Sequence, residues 1–296
     1  MTRSQLRVLS RLAGALVFGI CFVLALQWAR PAADSAGSPP PPPRPASAAD
    51  SAANVPAGFA GPAATLSTAG AAFDGLPSVG ALFLADDTGR STHHHFCTGT
   101  VVASTVGNVV ATAAHCLSDP AAGAPASASA PVLFVPGYHD GREPYGEWTV
   151  TKVLVDPHWA ASSDRDYDVA FVVVSRLGSP GARLADLVGA QAVGFAPQRP
   201  EPVGVIGYPA DTEKPVACRN TLKVYSPTQS EFDCTGFADG SSGGPILTGV
   251  DPRTGRGTLV GVIGGYEEGG DTPDVSFASY FGDAVKALYA QAVAAA

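Results

Sequence analysis

The stretch Asp239-Gly240-Ser241-Ser242-Gly243-Gly244-Pro245 constrains the chain most. A serine, two glycines and a proline, followed by apolar Ile246 and Leu247, read as a tight turn entering a strand. Glycine permits positive φ and leaves the backbone uncrowded. Backbone N–H groups can then converge on one small anionic spot, as stabilising an oxyanion requires. A hydroxyl held there can attack a carbonyl once a base takes its proton. The bland reading is a Gly/Ser surface turn, so the rest of the chain has to decide.

Thirty-four glycines and 26 prolines punctuate the 296 residues, and helix-period patterns are rare. Many short strands joined by turns are expected. The formal net charge is −8. Four arginines and no acid lie in residues 1–33, so the rest is more acidic still. That balance argues against nucleic acid or an anionic membrane surface as partner. Of five cysteines, Cys21 lies in an N-terminal apolar run. The other four, Cys97, Cys116, Cys218 and Cys234, form no C-x-x-C pair, which favours two disulfides over a metal site.

In chain order, Arg3, Arg7 and Arg11 precede an uncharged run over residues 12–29. Residues 1–30 thus read as a signal peptide, or as a signal anchor, since the run is just long enough to span a bilayer. Residues 31–72 are rich in Ala, Ser, Gly and Pro and read as a disordered linker, with Pro39–Pro43 stiffened as polyproline II. The folded domain is expected over 73–296. His93-His94-His95 reads as a solvated loop rather than a metal site, because adjacent histidines do not share a strand face. Residues 121–131 read as a flexible small-residue insertion. Phe281, Val285, Leu288, Tyr289 and Val293 recur at helical spacing and predict a C-terminal amphipathic helix on the second half of the fold.

Two further segments carry chemistry: Thr112-Ala113-Ala114-His115-Cys116, and Asp166-Tyr167-Asp168-Val169-Ala170-Phe171. His115 closes an apolar strand, where a base is held rigidly yet faces a cleft. Asp168 directly precedes an apolar strand, with Asp164 and Asp166 as nearby competitors. Taken with the Ser242 turn, these segments resemble the signature segments of the chymotrypsin/trypsin-like serine proteases of secreted bacterial type, in the order His, Asp, Ser.

The resemblance runs from about Leu76 to Ala292. It implies an all-β fold of two six-stranded antiparallel β-barrels, chymotrypsin-like, with a C-terminal helix. It implies a catalytic triad of His115, Asp168 and Ser242, and an oxyanion hole made by Gly240 and Ser242. It pairs Cys97 with Cys116, which leaves Cys218 for Cys234. It places the specificity pocket at Gly236, Gly264, Gly265 and Tyr266, on and beside a strand that would pair with substrate backbone. Two departures stand out. Ser241 takes a place that is usually aspartate, as in glutamyl endopeptidases, so activation by a buried new N-terminus is not expected. Gly236 replaces the aspartate that selects Arg or Lys.

The implied activity is exported serine endopeptidase, acting on peptides or proteins as a monomer without cofactor or metal. The membrane would be met only through residues 12–29, if they stay uncleaved. The competing readings are a catalytically silent protease-like binding protein at the cell surface, and an esterase using the same triad.

Overall fold

A computed structural model describes residues 67–119, 124–125 and 130–296. The expected signal or anchor, and linker residues 31–66, lie outside the described residues, as does most of the 121–131 insertion. Among the described residues no helix is long and apolar enough to cross a membrane.

Strand β1 (Ser67–Ala72) comes first, inside the segment whose composition suggested a linker. The next strands, β2 (Val79–Ala85), β3 (Ser91–Val102) and β4 (Val109–Thr112), are followed by a two-residue pair, β5 (Ser118–Asp119) and β6 (Ala124–Pro125). Then come β7 (Val132–Pro136), β8 (Trp148–Val155) and β9 (Ala170–Arg176). Six of these close a barrel in the order β2-β3-β4-β9-β8-β7, every pair antiparallel. Closure removes free strand edges. The apolar runs that predicted the strands fill its interior, with Leu82, Val101, Val110, Phe134, Trp148 and Val172 all buried.

The second half holds β10 (Ala192–Val193), β11 (Glu201–Gly207), β12 (Val216–Val224), β13 (Gln229–Asp233), β14 (Pro245–Thr248), β15 (Thr258–Val262) and β16 (Val275–Ser279). They form one curved sheet, β10-β15-β14-β11-β12-β13-β16, with β1 added to β12. It is a half-barrel rather than a closed six-stranded one. Beyond β15, the Gly264 N–H reaches the Phe277 carbonyl of β16 at 3.0 Å and draws the two ends together. The fold is therefore mostly β, built from two barrel-like sheets.

Helix α1 (Pro157–Ser162) is capped by Asp156 and helix α2 (Leu184–Val188) lies in the connection between the halves. Helix α3 (Asp283–Ala295) forms where the spacing predicted it. Its partner differs from expectation: it packs on β9 and β8 of the first barrel. Tyr289 meets Phe171 of β9, with ring centroids 5.5 Å apart, and Lys152 of β8 donates to the Ala295 carbonyl at 2.9 Å. Val285 and Leu288 are buried in a core that also takes Phe171, Leu259 and Val262. Each such side chain contributes about 1.5–3 kcal/mol. The helix thus ties the chain end back to the half that was made first.

The three histidines are also not a loop. They lie within β3, where His95 is buried against Phe83, Tyr138 and Tyr208 and its Nε2 meets the Thr212 carbonyl at 3.0 Å.

Candidate active site

β4 ends at Thr112, and the chain turns at once, placing His115 at the rim of the first barrel. Cys97 of β3 is bonded to Cys116, which anchors this turn to the neighbouring strand. Cys218 of β12 is bonded to Cys234, just past β13. Disulfides of this loop length contribute about 3 kcal/mol in a chain-entropy account. Asp168 ends a 3₁₀ turn over Arg165–Tyr167 and lies just ahead of β9. β9 pairs with β4 through Thr112↔Ala170, so the residues flanking each strand end meet.

They meet as an ion-pair geometry. Nδ1 of His115 lies 2.7 Å from Oδ2 of Asp168, and the His115 backbone N–H donates to Oδ1 at 2.9 Å. The Gly265 N–H donates to Oδ2 at 2.8 Å. Of the three aspartates, only Asp168 does this: Asp164 caps the 3₁₀ turn, and Asp166 accepts from Gln229. The Asp168 side chain is fully buried. Burial by itself would raise its pKa, but His115 and the two N–H donors hold the carboxyl below the usual range. Burial likewise pushes His115 down, and the Asp168 carboxylate beside it more than offsets this, so its pKa is raised from the ordinary imidazole value.

Ser242 comes from the second half. Gly240 and Gly243 take φ of 91° and 80°, which the turn requires and only glycine adopts without strain. The neighbouring amides are spent elsewhere: Ser241 donates to Ala238 and Gly244 to Ser241 within the turn, and Gly243 to Ile263 just past β15. The N–H groups of Gly240 and Ser242 donate to no other described residue. The Ser242 hydroxyl donates to the Glu268 carbonyl at 3.3 Å, and among the described residues no hydrogen bond joins it to His115. Both residues nonetheless line one cleft of about 750 Å³, a size typical of ligand sites.

The joint between the halves runs through residues whose motifs carry no warning of it. Thr98 on β3 donates its backbone N–H to Ser242 O at 2.7 Å and its hydroxyl to Gly240 O at 2.9 Å. Thr112 in turn donates to Thr98 O at 2.7 Å. Two buried threonines on the histidine-bearing barrel thus fix the position of the serine turn. A buried Thr on a strand is common, and the only available signal was that both sit beside the signature segments.

The expected specificity-pocket residues are placed elsewhere. Gly236, Gly264, Gly265 and Tyr266 do not line the cleft. The Gly264 and Gly265 amides are taken by Phe277 O and by Asp168. Tyr266 turns onto Tyr225 and Phe277, with both ring centroids 5.0 Å away. The lining residues are instead Leu84, Phe96, Phe237 and Ile263, with the acidic residues Asp239, Glu267, Glu268 and Asp271 and the glycines Gly240, Gly269 and Gly270. Glu267 and Glu268 both adopt left-handed φ, which bends the chain into the cleft. Cys97, His115 and Cys116 lie close enough together to suggest a metal cluster. Both sulfurs are in the disulfide and the imidazole faces Asp168, so they offer no thiolate for an ion.

A family model, the trypsin-like peptidase domain, matches residues 97–262. Among solved structures, the protease Anisep from Arthrobacter nicotinovorans is 29% identical with a TM-score of 0.62, over 75% of this chain and 97% of that one. The thermostable serine protease AL20, from an extremophilic microorganism, is 27% identical with a TM-score of 0.60, over 74% and 98%. A Glu endopeptidase in complex with MPD is 18% identical with a TM-score of 0.57, over 74% and 91%, a likeness of fold alone. No curated protein matches the sequence.

Proposed function

The chain belongs to the trypsin-like peptidase domain family, and from that we propose that it is an exported serine endopeptidase using His115, Asp168 and Ser242. The observation that carries this reading is the His115–Asp168 pair opening into the same cleft as Ser242, beside two unclaimed amides. Asp168 accepts the Nδ1–H and so leaves the His115 Nε2 lone pair free as base. Rotation about Cα–Cβ carries the Ser242 hydroxyl from Glu268 O to Nε2. His115 takes its proton as Oγ attacks the peptide carbonyl. The Gly240 and Ser242 N–H groups bind the oxyanion, His115 protonates the leaving amine, and water releases the acyl group by the reverse steps. The two disulfides fit an oxidising compartment, and residues 1–30 are the proposed export or anchoring segment.

One observation favours a second reading, the catalytically silent binding protein: Ser242 bonds to Glu268 rather than to His115. Covalent labelling separates the two. A fluorophosphonate is expected to modify the purified protein at one equivalent, mapped to Ser242 by peptide mass spectrometry. No labelling and no peptide turnover would leave the silent reading in possession.

The base has to be neutral to accept the serine proton. Because Asp168 raises its pKa, kcat/KM is expected to climb with pH through a midpoint raised from that of an ordinary imidazole. Asp168→Asn is expected to lower that midpoint, and a pH–rate profile whose midpoint does not move in the variant would contradict the pairing.

Among the described residues the cleft is lined by four acidic residues and by no lysine or arginine. A substrate Asp or Glu side chain would face like charge, while an apolar one meets Phe96, Phe237 and Ile263. Cleavage beside acidic residues is expected to be at least about tenfold slower than beside apolar ones, about 1.4 kcal/mol of discrimination. A peptide library reads this directly, and a preference for acidic residues would refute it.

A further inference from the structure

Strand β1 comes from a part of the chain whose composition predicts no structure, yet it is held on two sides. Its ends pair with β12 as Ser67↔Arg219, Ala71↔Ala217 and Ala72↔Val216. Between them the register shifts, and the strand turns its other groups to Thr235. The Thr235 N–H donates to Thr68 O at 2.8 Å, and the Gly70 N–H donates to Thr235 O at 3.0 Å. Both backbone groups of Thr235 are therefore taken by β1. Farther on, the Phe73 N–H reaches Pro215 O at 3.1 Å, and Lys214 pairs with Asp74 at 2.8 Å.

Thr235 stands directly before the segment that builds the site. Gly236 follows with φ of 89°, then Phe237 and Asp239 on the cleft wall, then the Gly240 amide and Ser242. A side chain added at Gly236 would meet only the Gly70 Cα, 4.0 Å away, so on that side β1 alone bounds the segment. Gly70 itself has no freedom: a Cβ there would overlap the Thr235 carbonyl oxygen. The run of small residues is what lets two backbones approach this closely. Inside the segment the backbone closes one turn, Ser241 N–H to Ala238 O at 3.0 Å, while the Ser241 hydroxyl is buried with no hydrogen-bond partner among the described residues. Thr98 holds the serine turn from the first barrel; the approach to it is held at Phe237 by Pro273 O, at Asp239 by the Ala210 N–H, and at its start, Thr235, by β1 beside the Cys218–Cys234 disulfide.

We infer that β1 is a positioning strap, which sets the Thr235–Gly240 segment and with it the Phe237 wall and the Gly240 oxyanion donor. This inference rests on the peptidase reading. Displacing the strap moves the Gly240 amide relative to the reacting carbonyl, and a shift of about 1 Å at such a donor costs up to about 100-fold. The strap therefore acts on kcat more than on KM.

The test uses the full chain with Gly70→Val, which adds the overlapping side chain, and Gly70→Pro, which removes the N–H that reaches Thr235. Gly181→Val is the control, since a side chain there meets nothing within 4 Å. Sites are counted by fluorophosphonate titration, and kcat is expressed per titrated site. Both Gly70 variants are expected to lose about 10- to 100-fold in kcat per site, with KM within about threefold and faster amide exchange at Thr235. The control is expected to match the wild type. If both Gly70 variants keep kcat per site within about threefold, β1 does not position the site. If activity falls only in step with the number of titrated sites, β1 is merely structural, and the inference falls as well. A wild-type chain that neither labels nor turns over would remove the peptidase reading itself, and the strap's role with it.

Discussion

Asp168→Asn is expected to lower kcat by about 10⁴-fold while leaving the fold in place. The reason lies in the donors that surround this carboxylate. Oδ1 accepts from the His115 backbone N–H, and Oδ2 accepts from His115 Nδ1 and from the Gly265 N–H. An asparagine has one acceptor oxygen and one NH₂ group. Facing the NH₂ toward Oδ2's partners sets it against the Gly265 N–H and presents the imidazole with a donor, which drives the ring to the wrong tautomer. Facing it the other way sets it against the His115 backbone N–H. Because the side chain is fully buried, water cannot resolve the mismatch. Turnover measured alongside a thermal midpoint separates the lost chemistry from lost stability. A variant that keeps more than about a tenth of wild-type turnover would mean that Asp168 does not orient His115, and the proposed triad would fail.

Gly243→Ala should be the most damaging single methyl in the domain. Gly243 has φ of 80°, and a Cβ there would overlap Thr112 Oγ1 and the Thr98 carbonyl oxygen and come within 3.0 Å of the Ala113 amide. All three neighbours belong to the histidine-bearing barrel, and none is the loose end of a flexible side chain. Left-handed strain costs about 1–2 kcal/mol and overpacking commonly about 1–3 more, so a loss of about 2–5 kcal/mol is expected. Urea unfolding measures it. The turn also carries Ser242, so the rate of fluorophosphonate labelling should fall in molecules that remain folded. A loss of stability below about 1 kcal/mol would show that the two halves are not in register at this point.

The parts of this protein that the sequence revealed are those whose chemistry is local. The Ser242 turn needs glycine on both sides because of positive φ, and that requirement is written within seven residues. His115 and Asp168 each adjoin a strand end, but it was the resemblance of their segments to the family's signature segments that singled them out. Apolar runs located most strands, because burial on both faces leaves an unbroken hydrophobic stretch. The helical spacing of Val285, Leu288 and Tyr289 gave α3 its place in the chain.

Partners distant in sequence were hidden. His95 read as part of a loop because three histidines in a row mask the alternation of β3. Only the ring cluster of Phe83, Tyr138 and Tyr208 shows why it is buried. The spacing in α3 says that one face is apolar and nothing about which sheet covers it. Nor could the sequence show that Gly236, Gly264, Gly265 and Tyr266 stand outside the lining of this cleft, or that the Gly264 and Gly265 amides are drawn to Phe277 O and to Asp168. Composition marked residues 67–72 as unable to form a core. It could not register a strand held by backbone hydrogen bonds, where small side chains are the means of close approach.

From sequence alone, turn residues and burial pattern pointed to a mostly β fold, and the resemblance of three short segments to a known family proposed which imidazole, carboxylate and hydroxyl would act together. Tertiary structure alone decided what holds them: Thr98 reaching Gly240 across 142 residues of chain, β1 gripping Thr235, and four acidic residues gathered around the cleft. The physical reason is that a residue's own φ and hydrophobicity are properties of its neighbourhood in the chain, whereas the partner of a hydrogen bond or the wall of a cleft exists only once two distant segments have been brought to the same place.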